Sequence, residues 1–138
     1  MFSTIAVPVD LAHVAKLEKS LGVAGDIARI YEARVVYVSV TTATPGALAH
    51  SPEEFRTRLA AFAAQQAEAR GIRTDSHVIV SHDPAVQMNR ELEEALDTLD
   101  ADLVVMATHV PNLADHLWSG HGAHIATHSD ISVMLVRG

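Results

Sequence analysis

The sequence predicts an α/β fold, a doubly wound sheet of five parallel strands with helices on both faces. Three observations lead there. Five short apolar runs, rich in β-branched residues, are spaced along the chain, as strands buried on both faces require. Between them, apolar residues return every three or four positions, the period of a helix with one buried stripe. Strand and helix signals therefore alternate, and such alternation builds right-handed parallel crossovers.

Ser3 to Val9, STIAVPV, is the first strand, with Pro8 near enough to its end that a missing ladder N–H is tolerated. Asp10 stands at its carboxyl tip. Val14, Leu17, Leu21, Ala24, Ala28 and Tyr31 form one apolar stripe, which predicts a single helix of about five turns. Ala33 to Val40 is the second strand, and Val35, Val36, Val38 and Val40 make it heavily β-branched. From Thr41 to His50 the residues are small and polar around a Pro-Gly pair, so this is a loop.

Ser51-Pro52-Glu53-Glu54 supplies an N-cap, a proline at the first helical position and a glutamate three residues after the cap. The helix it opens runs to about Arg70 and stops at Gly71. Its apolar face, Phe55, Leu59, Phe62 and Ala63, is modest and suits a place near a sheet edge. Ile72 to Ser81 is the third strand; Asp83 is expected to cap, and Pro84 to open, a third helix with the stripe Ala85, Met88, Leu92, Ala95 and Leu99. Glu91, Glu93, Glu94 and Asp97 lie mostly off that stripe and form a solvated face. Leu103 to Ala107 is the fourth strand. A loop rich in polar and turn-forming residues follows, ending at Gly120 and Gly122, then a helix over Ala123 to Ser129 and a last strand, Ile131 to Val136. Residues 1–138 read as one domain without internal repeats.

At 138 residues the chain is long enough to bury roughly two thirds of its unfolded surface. Without cysteine it has neither a disulfide framework nor a thiolate site. A formal charge of -7, spread along the helices, argues against a nucleic-acid partner. No apolar run reaches the ~20 residues that span a bilayer, and MFSTIAVPVD lacks the basic start of a secretory signal. The expectation is a cytoplasmic protein without membrane insertion.

In doubly wound sheets ligands bind outside the carboxyl ends of the strands, where strand order reverses. Asp10, Val40 to Thr42, and Ala107 to Gly122 all fall at such ends. A glycine-containing loop entering a helix also places backbone N–H groups where an anion can accept from them.

These residues carry a resemblance. STIAVPVD, YEARVVYVSV, SHDPAV, ADLVVMATH and SVMLVR together resemble the universal stress proteins, a family of small α/β nucleotide-binding proteins, over essentially the whole chain. MFSTIAVPVDL, TPGALAHSPEEF and ATHVPNLADHLW are further similar to the branch associated with tripartite (TRAP-type) transporters. The resemblance implies a sheet of order 3-2-1-4-5, a homodimer through the last strand, Ile131 to Val136, and adenine near the first two strands. It implies ATP as ligand, with magnesium as companion, ADP or AMP as further candidates, and a TRAP-type transporter as protein partner. The family's phosphate loop follows G-x2-G-x9-G-[ST]. This chain departs from it: the first two glycines are replaced by Ala107 and Val110, and Ser119-Gly120 stands in place of the final Gly-[ST] pair.

The expected nucleotide-binding residues are therefore Pro8, Val9 and Asp10, Val40, Met106, Ala107, Thr108 and His109, and Ser119, Gly120, His121 and Gly122. Asp10 would accept from a ribose hydroxyl or the adenine edge, or else cap the helix that starts beside it. Val40 would act through its backbone. Thr108 and His109 would reach phosphate oxygens, and the last four would cradle an anion at a helix start. Trp118 reads first as core packing.

No Ser-His-Asp order, nucleophile elbow or P-loop lysine occurs, so the chain is not read as an enzyme, though slow hydrolysis of bound ATP stays open. Two other readings stand beside nucleotide binding. One is a dimeric interaction module whose degenerate phosphate loop has closed the pocket, favoured by Ala107 and Val110. The other is a metal site: His121, His124 and His128 are three and four apart and would share one helix face.

Overall fold

The structure, a computed structural model, describes residues 1–45, 49–108, 118, 121–128 and 130–138, the side chains of Ala85 and His128 excepted. Its strands are β1 (Thr4–Pro8), β2 (Arg34–Thr41), β3 (Arg73–Val80), β4 (Leu103–Thr108) and β5 (Ser132–Arg137). They form one sheet in the order β3-β2-β1-β4-β5, and every pairing is parallel. The helices are α1 (Glu18–Tyr31), α2 (Pro52–Arg70), α3 (Pro84–Thr98) and α4 (His121–His128). This is the doubly wound sheet, in the strand order, that the sequence leads one to expect.

Chain direction decides which helix covers which face. From β1 the chain steps to β2 and then β3, so right-handed crossovers put α1 and α2 on one face; it then passes back over β2 and β1 to β4, which puts α3 and α4 on the other. Alternate strand residues serve the two cores. Ile5, Val7, Val9, Val35, Tyr37, Leu103 and Val105 meet Leu21, Ala24, Leu59 and Phe62. Ala6, Val36, Val38, Val40, Val104 and Met106 meet Met88, Leu92, Leu96, Trp118 and Ile125. As its modest face predicts, α2 lies on β2 and the edge strand β3. Among the described residues no helix is long and apolar enough to cross a membrane.

Local signals account for most boundaries. Ser51 Oγ accepts from the Glu54 N–H at 3.1 Å while the Glu54 carboxylate accepts from the His50 N–H at 3.0 Å, so the start of α2 is clamped from both sides. Gly71, at φ +64°, closes it in a conformation that costs glycine nothing.

Three expectations fail locally. The single helix after β1 is two pieces, a 3-10 stretch Leu11–Leu17 and then α1, with His13 non-helical at φ -134°, ψ 32°. Asp10 is the cause: its side chain accepts from the Ala12 N–H and its carbonyl from the His13 N–H, an i to i+3 bond that winds the chain too tightly for an α-helix. Asp83 holds the N-cap position of α3 but its side chain makes no cap bond; its carbonyl accepts from the Val86 and Gln87 N–H groups, and Pro84 has no N–H to satisfy. Helix α4 starts at His121, so His121 and Gly122 are its first residues and not part of the loop.

One buried group is out of balance. The Tyr37 hydroxyl, fully buried beneath Phe62, has no hydrogen-bond partner among the described residues. Burial pushes its pKa up to about 12, against a small opposing pull from Arg70. The unfolded chain then ionises near pH 10 while the folded chain does not, so stability is lost as pH rises from about 10 towards 12. Tyr37→Phe should abolish that part of the alkaline slope and, at pH 7, leave stability equal or raise it by about 1–3 kcal/mol. Urea unfolding at pH 7 and pH 10.5 checks both; a large loss at pH 7 would mean the hydroxyl is satisfied.

Candidate functional site

The switch point lies between β1 and β4, the two strands from which the chain departs in opposite directions. At its centre is the β1 tip. The Val9 N–H donates to the Val38 carbonyl at 2.8 Å, tying the tip to β2. The Val9 carbonyl accepts twice, from Ser39 Oγ at 2.8 Å and from the Trp118 indole N–H at 3.0 Å. Val9 thus stands at the β1 tip with both of its backbone groups already engaged. Trp118 is buried in the α3/α4 core, which agrees with the packing role read from sequence and adds the anchor that sequence did not show. Ser39, a small hydroxyl residue between two valines, is the available hint.

Asp10 follows directly. It is buried, 6 % exposed, and its carboxylate accepts from the Ala12 N–H at 3.0 Å through Oδ1 and contacts His13 Nδ1 at 2.9 Å through Oδ2. The helix-capping role is therefore realised. Each carboxylate oxygen has more than one lone pair, so capping leaves capacity for a ligand donor.

Pro8 is buried within β1; Val40 is buried in β2, and Met106 in β4, both in the α3/α4 core. Ala107 and Thr108 are half-buried at the β4 end, where the Thr108 carbonyl accepts from the Gly138 N–H at 3.1 Å. His109, Ser119 and Gly120, with residues 110–117 of the loop, lie outside the described residues. Neither lysine nor arginine occurs in Pro8–Val14, Val40–Pro45, Val80–Asp83 or Met106–Thr108. An anion in this crevice would depend on backbone N–H groups and the α4 terminus for its charge.

The α4 start is built from contacts to α3 and β5. His121 Nδ1 meets Asn89 Oδ1, its backbone N–H donates to the Trp118 carbonyl at 3.1 Å, and its ring lies edge-on to Trp118. Burial, and then the neighbouring His124, hold its pKa below the usual histidine value. The neutral ring carries one proton, on Nδ1, from which it donates to Asn89 Oδ1. Both N–H donors of His121 are thus spent within the protein. A Cβ on Gly122 would come 2.5 Å from Leu135 Cδ2, so a side chain there would have to turn the exposed tip of Leu135 aside.

His124 Nε2 lies 2.8 Å from Glu93 Oε1 of α3. His121 and His124 therefore each have a polar partner on α3, and the side chain of His128 is outside those described. Among the described residues no group of three or more His, Cys, Asp or Glu is gathered as a metal ion requires. Sequence reading missed Asn89 and Glu93, four apart on α3 and so on one face, because their partners are remote in sequence. It also missed His13, although the spacing Asp-x-x-His at a helix start imitates a capping box.

Residues 1–137 match the universal stress protein family. The chain belongs to that family. Solved structures share the architecture at low sequence identity. A universal stress protein family member from Burkholderia pseudomallei is 20% identical, with 98% of this chain and 96% of that one covered and a TM-score of 0.69. The universal stress protein of Archaeoglobus fulgidus in complex with dAMP is 17% identical, with 98% of each chain covered and a TM-score of 0.66. A family protein of Arabidopsis thaliana with AMP bound is 13% identical, with 98% of this chain and 90% of that one covered and a TM-score of 0.63. At such identities the likeness is one of fold.

The Trp118 anchor has a measurable size. Trp118→Phe keeps most of the ring and leaves Ser39 on the Val9 carbonyl, so it should cost about 0.5–1.5 kcal/mol. Trp118→Ala should cost about 3–5 kcal/mol. Urea unfolding of both variants checks this, and an alanine variant as stable as the parent would show that the indole does not anchor the tip.

Proposed function

We propose that this universal stress protein binds an adenine nucleotide at the carboxyl ends of β1, β2 and β4 and uses it as a regulatory ligand. The observation that carries the reading is Asp10, a buried carboxylate at the β1 tip of the switch point. The dAMP and AMP complexes of family members with this fold support the ligand class. Pro8, Val9, Val40, Met106, Ala107 and Thr108 would form the described part of the pocket, and His109 and Ser119 to Gly122 would close its phosphate end. ATP, with magnesium, ADP and AMP are the ligands to try.

Within this reading the chain is a single domain, acts in the cytoplasm as a regulator and not as a turnover enzyme, and pairs with a second copy through β5. Among the described residues the β5 edge has no strand beside it, and Met134 and Leu135 are exposed on that strand. A TRAP-type transporter is the protein partner that the sequence resemblance suggests. A second reading, an interaction module without nucleotide, is favoured by the closed state of the β1 tip: both Val9 backbone groups are engaged and Trp118 is packed against them.

Calorimetric titration of ATP, ADP and AMP, with and without magnesium, separates the two. The proposal expects micromolar binding that Asp10→Ala weakens about ten- to a hundredfold, the size of a lost hydrogen bond to a charged group. No binding by the parent protein favours the interaction module. For the dimer, sedimentation of a Met134→Lys, Leu135→Lys double variant should shift the parent from two copies to one; a monomeric parent refutes the β5 contact.

A further inference from the structure

The 3-10 stretch after β1 has a feature that helix capping does not require. A capping aspartate is satisfied by first-turn N–H groups, and Asp10 has the Ala12 N–H through Oδ1. Its second oxygen nevertheless holds an imidazole, His13 Nδ1, at 2.9 Å. The backbone at His13 leaves helical geometry, at φ -134°, ψ 32°, in the turn that makes this contact. The His13 side chain is about one-third exposed, at 35%, whereas that of Asp10 is 8% exposed. The imidazole is therefore the more accessible member of a pair rooted at the switch point.

The chemistry of the pair is directional. An ionised carboxylate only accepts, so Nδ1 donates to it and a neutral His13 ring keeps its lone pair on Nε2. Nε2 has no partner among the described residues. A partly exposed ring fixed in one tautomer by a buried carboxylate, its second nitrogen left as an acceptor when the ring is neutral, is an arrangement for receiving a hydrogen bond.

We propose that His13, positioned by Asp10, is a ligand-contacting residue of the nucleotide site, its Nε2 accepting from a donor group of the nucleotide. This rests on the adenine-nucleotide reading above. Adenosine nucleotides carry two kinds of donor that fit, the exocyclic amino group of the base and the ribose hydroxyls. His13 would then be a specificity residue, because a ligand lacking the matching donor leaves the acceptor unpaired.

The test is calorimetry with four ligands, AMP, inosine monophosphate, 2′-deoxy-AMP and 3′-deoxy-AMP, on the parent protein and on His13→Ala and His13→Gln. Glutamine can donate its amide to Asp10 and still offer an oxygen, so it should restore much of what alanine loses. We expect His13→Ala to weaken AMP binding about tenfold, and the penalty to vanish for the one analogue that lacks the contacted donor. That analogue identifies the base or the sugar as the contact. Circular dichroism and thermal unfolding of each variant establish that it is folded. If the parent binds AMP and His13→Ala binds it equally well, His13 is only part of a helix cap and the proposal fails while the nucleotide reading stands. A penalty of the same size for all four ligands also overturns it, since the ring would then act solely through Asp10. If the parent binds none of the four, the nucleotide reading falls, and this proposal with it.

Discussion

A parallel sheet must be covered on both faces, because its strands carry apolar side chains in both directions and its crossovers are helices. In this chain that requirement falls hardest on β1. It is the central strand, its residues from Ile5 to Val9 are buried, and its neighbours lead away in opposite directions. The residues just beyond it cannot be covered by a crossover in the same way, because the chain has parted there. What occupies that gap, Asp10, His13 and the Trp118 side chain, is tied together by hydrogen bonds around the strand tip, with Trp118 also packed in the α3/α4 core.

The tip is accordingly crowded with polar contacts of long reach. Trp118 is far from Val9 in sequence and Ser39 lies on the next strand, yet both donate to one carbonyl. On the opposite helical layer, Asn89 and Glu93 of α3 meet His121 and His124 of α4. These bonds tie α4 to α3, and the His121 N–H on the Trp118 carbonyl connects α4 to β1 through the indole. At the β1 tip both backbone groups of Val9 are taken up by the protein itself.

The sequence made the fold legible because its signals are local and repeated. Five β-branched runs, the Ser51 cap with Glu54 and the stop at Gly71 each report on their own neighbourhood, and they agree with the global topology. The helix after β1 was misjudged because its apolar stripe, Val14 to Tyr31, continues unbroken across a point where the Asp10 cap forces a tighter turn; periodicity records which face is buried, not how tightly the backbone winds. Asp83 was misjudged for a related reason: the residue type suits a cap, and the carbonyl did the work instead. At the site, Asp10 was legible by its place at a strand end. His13 and Ser39 were visible but had no partner within reading distance, and Asn89, Glu93 and Trp118 depend on contacts that only the folded chain creates. Gly122, which reads in sequence as the end of a loop, stands in the first turn of α4 with Leu135 close to it.

Trp118 is the only tryptophan in the chain, and the chain places it in a dry core with its indole N–H on the β1 tip. Indole emission shifts to shorter wavelength in an apolar setting and to longer wavelength in water, so the protein carries one optical probe, and that probe stands at the junction between strand tip and α4. Whatever enters or vacates this junction, a small molecule or a second protein, acts on the same chromophore. Events at the switch point can therefore be followed in the unlabelled molecule, without interference from any other tryptophan.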